Sequence, residues 1–86
     1  MMMETYWVYV LELMDGRRYT GHTNNLERRL QEHQTGRSPF TRKTQMKRLL
    51  YFEQYDTRSE AMKREKFLKS GNGRAWLQQR LAEQSA

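Results

Sequence analysis

The sequence has no cysteine, a single proline (Pro39) and no apolar run long enough to cross a membrane. The lack of cysteine excludes disulfides, thiolate zinc sites and cysteine nucleophiles. The apolar start, residues 1–14, carries Glu4 and Glu12 and has no basic leader, so it is not typical of a signal peptide. We therefore expect a cytoplasmic protein without a membrane partner.

Acidic residues are outnumbered, with 10 Asp and Glu against 16 Lys and Arg, which gives a net charge of +6. On a chain of 86 residues this excess favours a polyanionic partner, with nucleic acid the first candidate. The alternative is a soluble protein that happens to be basic. The length suits one domain, residues 1–86, with a core at about 6–70.

Three strands are predicted from β-branched and aromatic runs. Residues 6–13 are apolar on both faces until Glu12, which is typical of a strand covered on two sides. Asp15 and Gly16 supply a tight hairpin turn to a strand at 18–22, which Gly21 should weaken or end. A third strand is predicted at 48–55.

Three helices are predicted from capping residues and apolar spacing. Asn24 and Glu27 suggest a capping box that opens a helix through about Thr35, with Gly36 as its C-cap. Thr57 and Glu60 form a second capping box, which opens a helix that ends near Ser70 and Gly71. A last helix covers about 74–84, with Trp76, Leu77 and Leu81 facing inward. The order β-β-α-β-α-α predicts an α+β domain with a three-stranded, mainly antiparallel sheet flanked by helices.

Polar residues lie on the inward faces of two helices. At about 100° per residue, Arg29 and His33 fall on the face of Leu26 and Leu30, towards the sheet bearing Tyr9 and Tyr19, whereas Arg28 faces solvent. Arg29 could instead snorkel along the core edge, and His33 could be an ordinary packed histidine.

Glu65 lies in the middle of the apolar stripe of the second helix, beside Ala61 and Leu68. A carboxylate there is costly unless a cation or several donors meet it. It is either a structural ion pair, with Arg29 as one candidate partner, or a metal ligand or catalytic carboxylate suited to Mg²⁺. Together with the phenols, Arg29 and a histidine, such a carboxylate suits phosphoryl transfer.

The segment 36–48 interleaves basic residues with Phe40, which is typical of a surface that follows a nucleic-acid backbone. A solubilising loop is the alternative. The candidate phosphate contacts in this segment are Arg37, Arg42, Lys43 and Lys47.

These motifs resemble the GIY-YIG nuclease domain family, in its small stand-alone form. "WVY" (7–9) is similar to the first signature, and "YTG" (19–21) to the second, with the tyrosines ten residues apart. The arginine of the family falls on Arg29, a further ten residues on, and "RSEAMKREKFLK" (58–69) resembles the segment with the metal-binding glutamate, which falls on Glu65. Trp7 stands where the first signature has glycine.

The resemblance implies roles for these residues. Glu65 would hold Mg²⁺, or Mn²⁺ in its place, Arg29 would bind the scissile phosphate, and Tyr9 and Tyr19 would position or deprotonate the attacking water. His33 matches a position close to the reaction, and His22 a phosphate contact. Tyr19 as general base needs a lowered pKa, and otherwise His33 is the better base at neutral pH.

The resemblance therefore predicts a Mg²⁺-dependent endonuclease acting on DNA, structure-directed or weakly sequence-selective. RNA stays open as a substrate, since nothing in the sequence reads the 2′-hydroxyl. The chain has no room for a separate targeting module, which a partner protein could supply. The alternative function is a nucleic-acid-binding module whose catalysis is weak, lost or dependent on a partner.

Overall fold

The computed structural model describes residues 4–36 and 45–85, and these form three strands and three helices in the predicted order. The elements are β1 (Tyr6–Leu13), β2 (Arg18–Thr23), α1 (Leu26–Gln34), β3 (Met46–Tyr55), α2 (Arg58–Lys69) and α3 (Gly71–Ser85).

The sheet is antiparallel and has the order β2-β1-β3, so β1 is central and β2 is an edge strand. Gly16 takes a positive φ of 90° in the turn between β1 and β2, which confirms the predicted hairpin. The side chains of β1 alternate between two covered faces, as its apolar pattern predicts.

Each face of β1 packs against different helices. On one face, Val8 and Val10 are completely buried with Ala61 of α2 and Leu77 of α3. On the other face, the buried residues Tyr9, Leu11 and Leu13 pack with Leu26 and Leu30 of α1. The fold is thus a sheet between α1 on one side and α2 with α3 on the other.

The start of α1 differs from the prediction by one residue. The N-cap is Asn25, not Asn24, and its Oδ1 accepts from the backbone N–H of Arg28 at 3.0 Å. Glu27 therefore lies one position too early to close a capping box with it. At the other end of α1, Gly36 follows the cap residue with a φ of 72°, the left-handed conformation that glycine favours there.

The last helix begins at Gly71, three residues before the predicted start, although Gly and Asn are weak helix formers. Gly73 is buried where α3 meets α2, and a Cβ on it would lie 1.8 Å from the carbonyl oxygen of Phe67. Close packing between the helices therefore fixes this turn. Leu77 faces inward as predicted, but Trp76 is 38 % exposed and lies edge-on against Tyr51.

Candidate active site

Four side chains meet on the α1 face of the sheet. The Nε–H of Arg29 donates to Tyr9 Oη at 3.4 Å, and Tyr9 Oη lies 3.0 Å from Nε2 of His33. Tyr19 packs its ring 5.1 Å from the imidazole of His33, centroid to centroid, and its hydroxyl also interacts with Arg29. As the helical wheel predicts, α1 directs Arg29 and His33 at the two phenols, while Arg28 is exposed.

Burial decides the protonation of this cluster. Burial, with a smaller contribution from the cation of Arg29, lowers the pKa of His33 to about 4, so its imidazole is neutral at pH 7. Burial also raises the pKa of Tyr9 to about 12, although Arg29 acts against this shift. The neutral Nε2 can accept the phenol proton, which gives a hydrogen-bonded chain from Arg29 through Tyr9 to His33.

The members of this cluster differ in their access to solvent. Tyr9 is 1 % exposed and His33 is completely buried, whereas the side chain of Arg29 keeps 23 % of its surface exposed. A ligand that approaches from solvent can therefore touch Arg29, with Tyr9 and His33 packed behind it.

Glu65 projects from α2 towards β2. Its Oε1 lies 2.8 Å from Nδ1 of His22, and its Oε2 accepts from Nζ of Lys69 at 3.0 Å. The hydrogen-bond partners of Glu65 are thus His22 and Lys69, and not Arg29, because Glu65 approaches the sheet from the face opposite α1. The other nitrogen of His22 lies 3.5 Å from a guanidinium nitrogen of Arg58.

Glu65 is ionised and accessible. Partial burial acts to raise its pKa, but the hydrogen bonds from His22 and Lys69 outweigh this effect, and the pKa lies below its ordinary value. The side chain is 20 % exposed. Glu65 therefore presents a charged oxygen ligand at the surface. Its position in the apolar stripe of the helix did not by itself show that the carboxylate would be accessible.

The edge strand β2 joins the two groups of side chains. Tyr19 and His22 lie on opposite faces of β2, so one contributes to the α1 face and the other to the α2 face. Between them, Gly21 is opposite Tyr9, and a Cβ on Gly21 would lie 2.7 Å from Tyr9 Oη. Gly21 does not end the strand, which continues to Thr23; the glycine provides the space that the phenol occupies.

The sequence pattern did not single out a second carboxylate, Glu53 of β3. It accepts two hydrogen bonds from Arg64 at 2.9 and 3.1 Å and one each from the hydroxyls of Tyr51 and Tyr55. Arg64 is stacked on Phe67, so it is not a solvated helix charge. The i, i+2 spacing of the two tyrosines about Glu53 was the available signal, because it places all three on one face of a strand.

Most of the basic segment falls in the gap between the two described ranges. Arg37, Arg42 and Lys43 lie outside the described residues, as does Phe40. Lys47 lies on β3, where it and Arg48 form ion pairs with Glu12.

Among the described residues, the candidate site offers a hydrated metal ion one carboxylate, that of Glu65, and not a set of several ligands. Within 4–36 and 45–85, no three His, Cys, Asp or Glu side chains come together as a metal-binding group. In the same ranges, no helix has the length and apolar character needed to cross a membrane.

Comparison with known proteins identifies the family. The profile of the GIY-YIG catalytic domain matches residues 5–79, and the chain therefore belongs to the GIY-YIG family. Among curated proteins it is similar to UPF0213 proteins. It is 41 % identical over 70 residues to one from Haloquadratum walsbyi, covering 80 % of this chain and 79 % of that one. It is 45 % identical over 65 residues to one from Oceanobacillus iheyensis, covering 74 % and 76 %.

A solved structure confirms the fold. The solution NMR structure of a UPF0213 protein from Bacillus halodurans matches with a TM-score of 0.53 and 32 % identity, covering 85 % of this chain and 81 % of that one. The α+β architecture is thus that of a GIY-YIG protein, as the signature spacing predicted.

Proposed function

We propose that this chain is a Mg²⁺-dependent endonuclease that hydrolyses phosphodiester bonds in DNA, structure-directed or weakly sequence-selective. One observation carries the proposal. An ionised carboxylate, Glu65, and a guanidinium, Arg29, both remain accessible on elements that flank the same edge strand, in a catalytic domain of the GIY-YIG family.

Glu65 fits a divalent cation of the Mg²⁺ type. Such an ion is commonly held by one or two carboxylates and keeps several waters, so one exposed, ionised carboxylate suffices. GIY-YIG nucleases generally use a divalent metal. Bound at Glu65, the ion would offset charge on the phosphate and activate water.

The roles of Arg29, the two tyrosines and His33 follow from how accessible each side chain is to solvent. Arg29 contacts the phosphate oxygens and stabilises the charge that develops as water adds to phosphorus and a P–O bond breaks. Tyr19, beside Arg29, orients the attacking water. Burial lowers the pKa of His33 to about 4, so this histidine is a poor acceptor for the water proton. Tyr9 and His33 are positioning residues that hold Arg29 and Tyr19.

His22 takes a different role from the one that the resemblance implies. Its Nδ1 is engaged by Glu65, so we propose that it orients this carboxylate rather than contacting phosphate directly. Removing a partner of this kind loosens the ligand that it holds.

A nucleic-acid-binding module with weak or partner-dependent catalysis is the second candidate. The contacts of Glu65 favour it, because both carboxylate oxygens already accept hydrogen bonds within the chain. A metal ion must share or displace these partners.

A cleavage assay decides between the two. Labelled branched, single-stranded and duplex DNA, with the matching RNA, is incubated with the chain and Mg²⁺ or Mn²⁺. We expect metal-dependent cleavage that Glu65→Ala and Arg29→Ala abolish and that Glu83→Ala, an exposed carboxylate on α3, leaves intact. Cleavage that survives Glu65→Ala refutes the site, and binding without cleavage supports the second candidate.

A further inference from the structure

A cleft of about 820 Å³ runs from the neighbourhood of Glu65 along the edge strand. One wall is β2, with Arg18 and Thr20, and the other is the end of α2 and the first half of α3, with Lys69, Arg74 and Gln78. None of its lining residues in the described part of the chain is acidic, and the lining also includes Arg17, which forms an ion pair with Asp15. The rim of the cleft is therefore positively charged.

The cleft is continuous with the candidate active site. Lys69 lines the cleft and also donates to Glu65, one helical turn earlier on α2. On the opposite wall, Thr20 lies two residues from His22, on the same face of β2. A ligand bound at Glu65 can therefore continue into the cleft without crossing another element.

At the end of the cleft away from Glu65, a hydrogen bond connects its two walls. A guanidinium nitrogen of Arg18 donates to Oε1 of Gln78 at 3.1 Å, which joins β2 to α3. From His22 to Arg18 the strand spans about 13 Å, at roughly 3.3 Å per residue. This length and the volume suit about two nucleotides of one strand and are too small for a duplex.

The floor of the cleft differs chemically from its rim. The floor is formed by Val10, Leu68 and Leu77, which are all at most 3 % exposed and so offer a ligand almost no surface, whereas the rim carries the exposed cations. The rim is therefore the part of the cleft that a ligand meets, and its cations complement the phosphates of a nucleic-acid strand.

We infer that this cleft binds a single-stranded segment of nucleic acid next to the bond that is cleaved, an assignment that rests on the proposed function. The chain would thus require an unpaired stretch flanking its cleavage position. Arg74 is the best probe, because it lies on the rim, is exposed and does not contact the candidate catalytic residues.

The test is the salt dependence of binding, measured without metal so that cleavage cannot occur. Fluorescence anisotropy follows a labelled oligothymidylate and a hairpin duplex of equal length in EDTA, from 50 to 300 mM salt. The slope is that of the logarithm of the binding constant against the logarithm of the salt concentration. On a single strand, loss of one phosphate contact reduces the magnitude of this slope by about 0.7. If binding at 1 M salt is unchanged, this makes binding at 50 mM salt about eightfold weaker. We expect this change for Arg74→Gln on the oligothymidylate.

The matched control is Arg80→Gln, which removes the same charge from another face of α3, outside the cleft. It should leave the slope unchanged. Equal losses from Arg74→Gln and Arg80→Gln, no loss from either, or an equal loss on the duplex would overturn the inference. If the wild-type chain binds as expected but cleaves nothing with Mg²⁺, the proposed function fails, and the cleft stands only as a binding site for a single strand. Metal-dependent cleavage together with an unchanged slope for Arg74→Gln refutes the cleft assignment and leaves the proposed function intact.

Discussion

The hydroxyl of Tyr9 contacts both Arg29 and His33, and its removal tests the positioning role proposed for Tyr9 and His33. Tyr9→Phe leaves the shape of the ring intact but deprives Nε2 of His33 of its partner at 3.0 Å. Because His33 is completely buried, water cannot replace that partner. Leaving a buried polar atom unsatisfied costs about 1–3 kcal/mol.

A mid-range loss of about 2 kcal/mol corresponds to a decrease in Tm of roughly 8–16 °C for a domain of this size. The loss should be smaller when both partners become apolar. In the double variant Tyr9→Phe/His33→Leu we therefore expect a destabilisation below the sum of the two single variants, by about 1–2 kcal/mol. Urea unfolding followed by circular dichroism measures all three free energies.

Tyr6→Phe is the matched control, because the hydroxyl of Tyr6 donates to Glu4 in an exposed pair. It should change stability little. Strictly additive single effects, or a Tyr9→Phe variant as stable as the wild type, would show that the hydrogen bond does not hold the cluster together. The positioning role of Tyr9 would then have to be abandoned.

Three further outcomes follow from the structure. Gly21→Ala should cost about 1–3 kcal/mol in urea unfolding, because the new Cβ forces Tyr9 from its site. Glu53→Gln should cost about 1–3 kcal/mol in thermal unfolding, because it weakens the bonds to a half-buried carboxylate, whereas Glu83→Gln should have no effect. Since the folded pKa of His33, about 4, lies below its unfolded value of 6.5, stability should decrease as the pH falls from 6.5 towards 4, and His33→Gln should flatten this decrease.

The Gly21 and His33 outcomes each have a result that would contradict them. Gly71→Ala adds a Cβ with no atom within 4 Å and should not destabilise the chain, so equal losses at Gly71 and Gly21 would remove the steric explanation. A His33→Gln variant with the wild-type pH profile would assign the decrease to carboxylates instead.

Much of the fold was readable because its signals are local. The Asp15–Gly16 turn, the double-sided apolar pattern of β1 and the Thr57 cap each depend on residues within a few positions, and all are confirmed. The start of α3 could not be predicted from the sequence, because a Gly-Asn-Gly run favours a turn locally. Contact between Gly73 and α2 overrides that preference.

Part of the candidate site could also be predicted from the sequence, because the direction of a side chain on a helix is a local property. Helical periodicity correctly directs Arg29 and His33 at the sheet, because direction depends only on position along one helix. It does not reveal which groups a neighbouring strand brings to the same place. The pairing of Glu65 with His22 and of Arg64 with Glu53 depends on how α2 lies across the sheet, a tertiary property without a local signature.

The described side chains of the candidate site project from strands and helices: Tyr9 from β1, Tyr19 and His22 from β2, Arg29 and His33 from α1, and Glu65 from α2. Side chains held on such elements lose conformational entropy when the chain folds, so little would remain to be lost on binding the phosphate that the proposed function requires. In a site of this kind, the side chains are already held in position before the ligand binds.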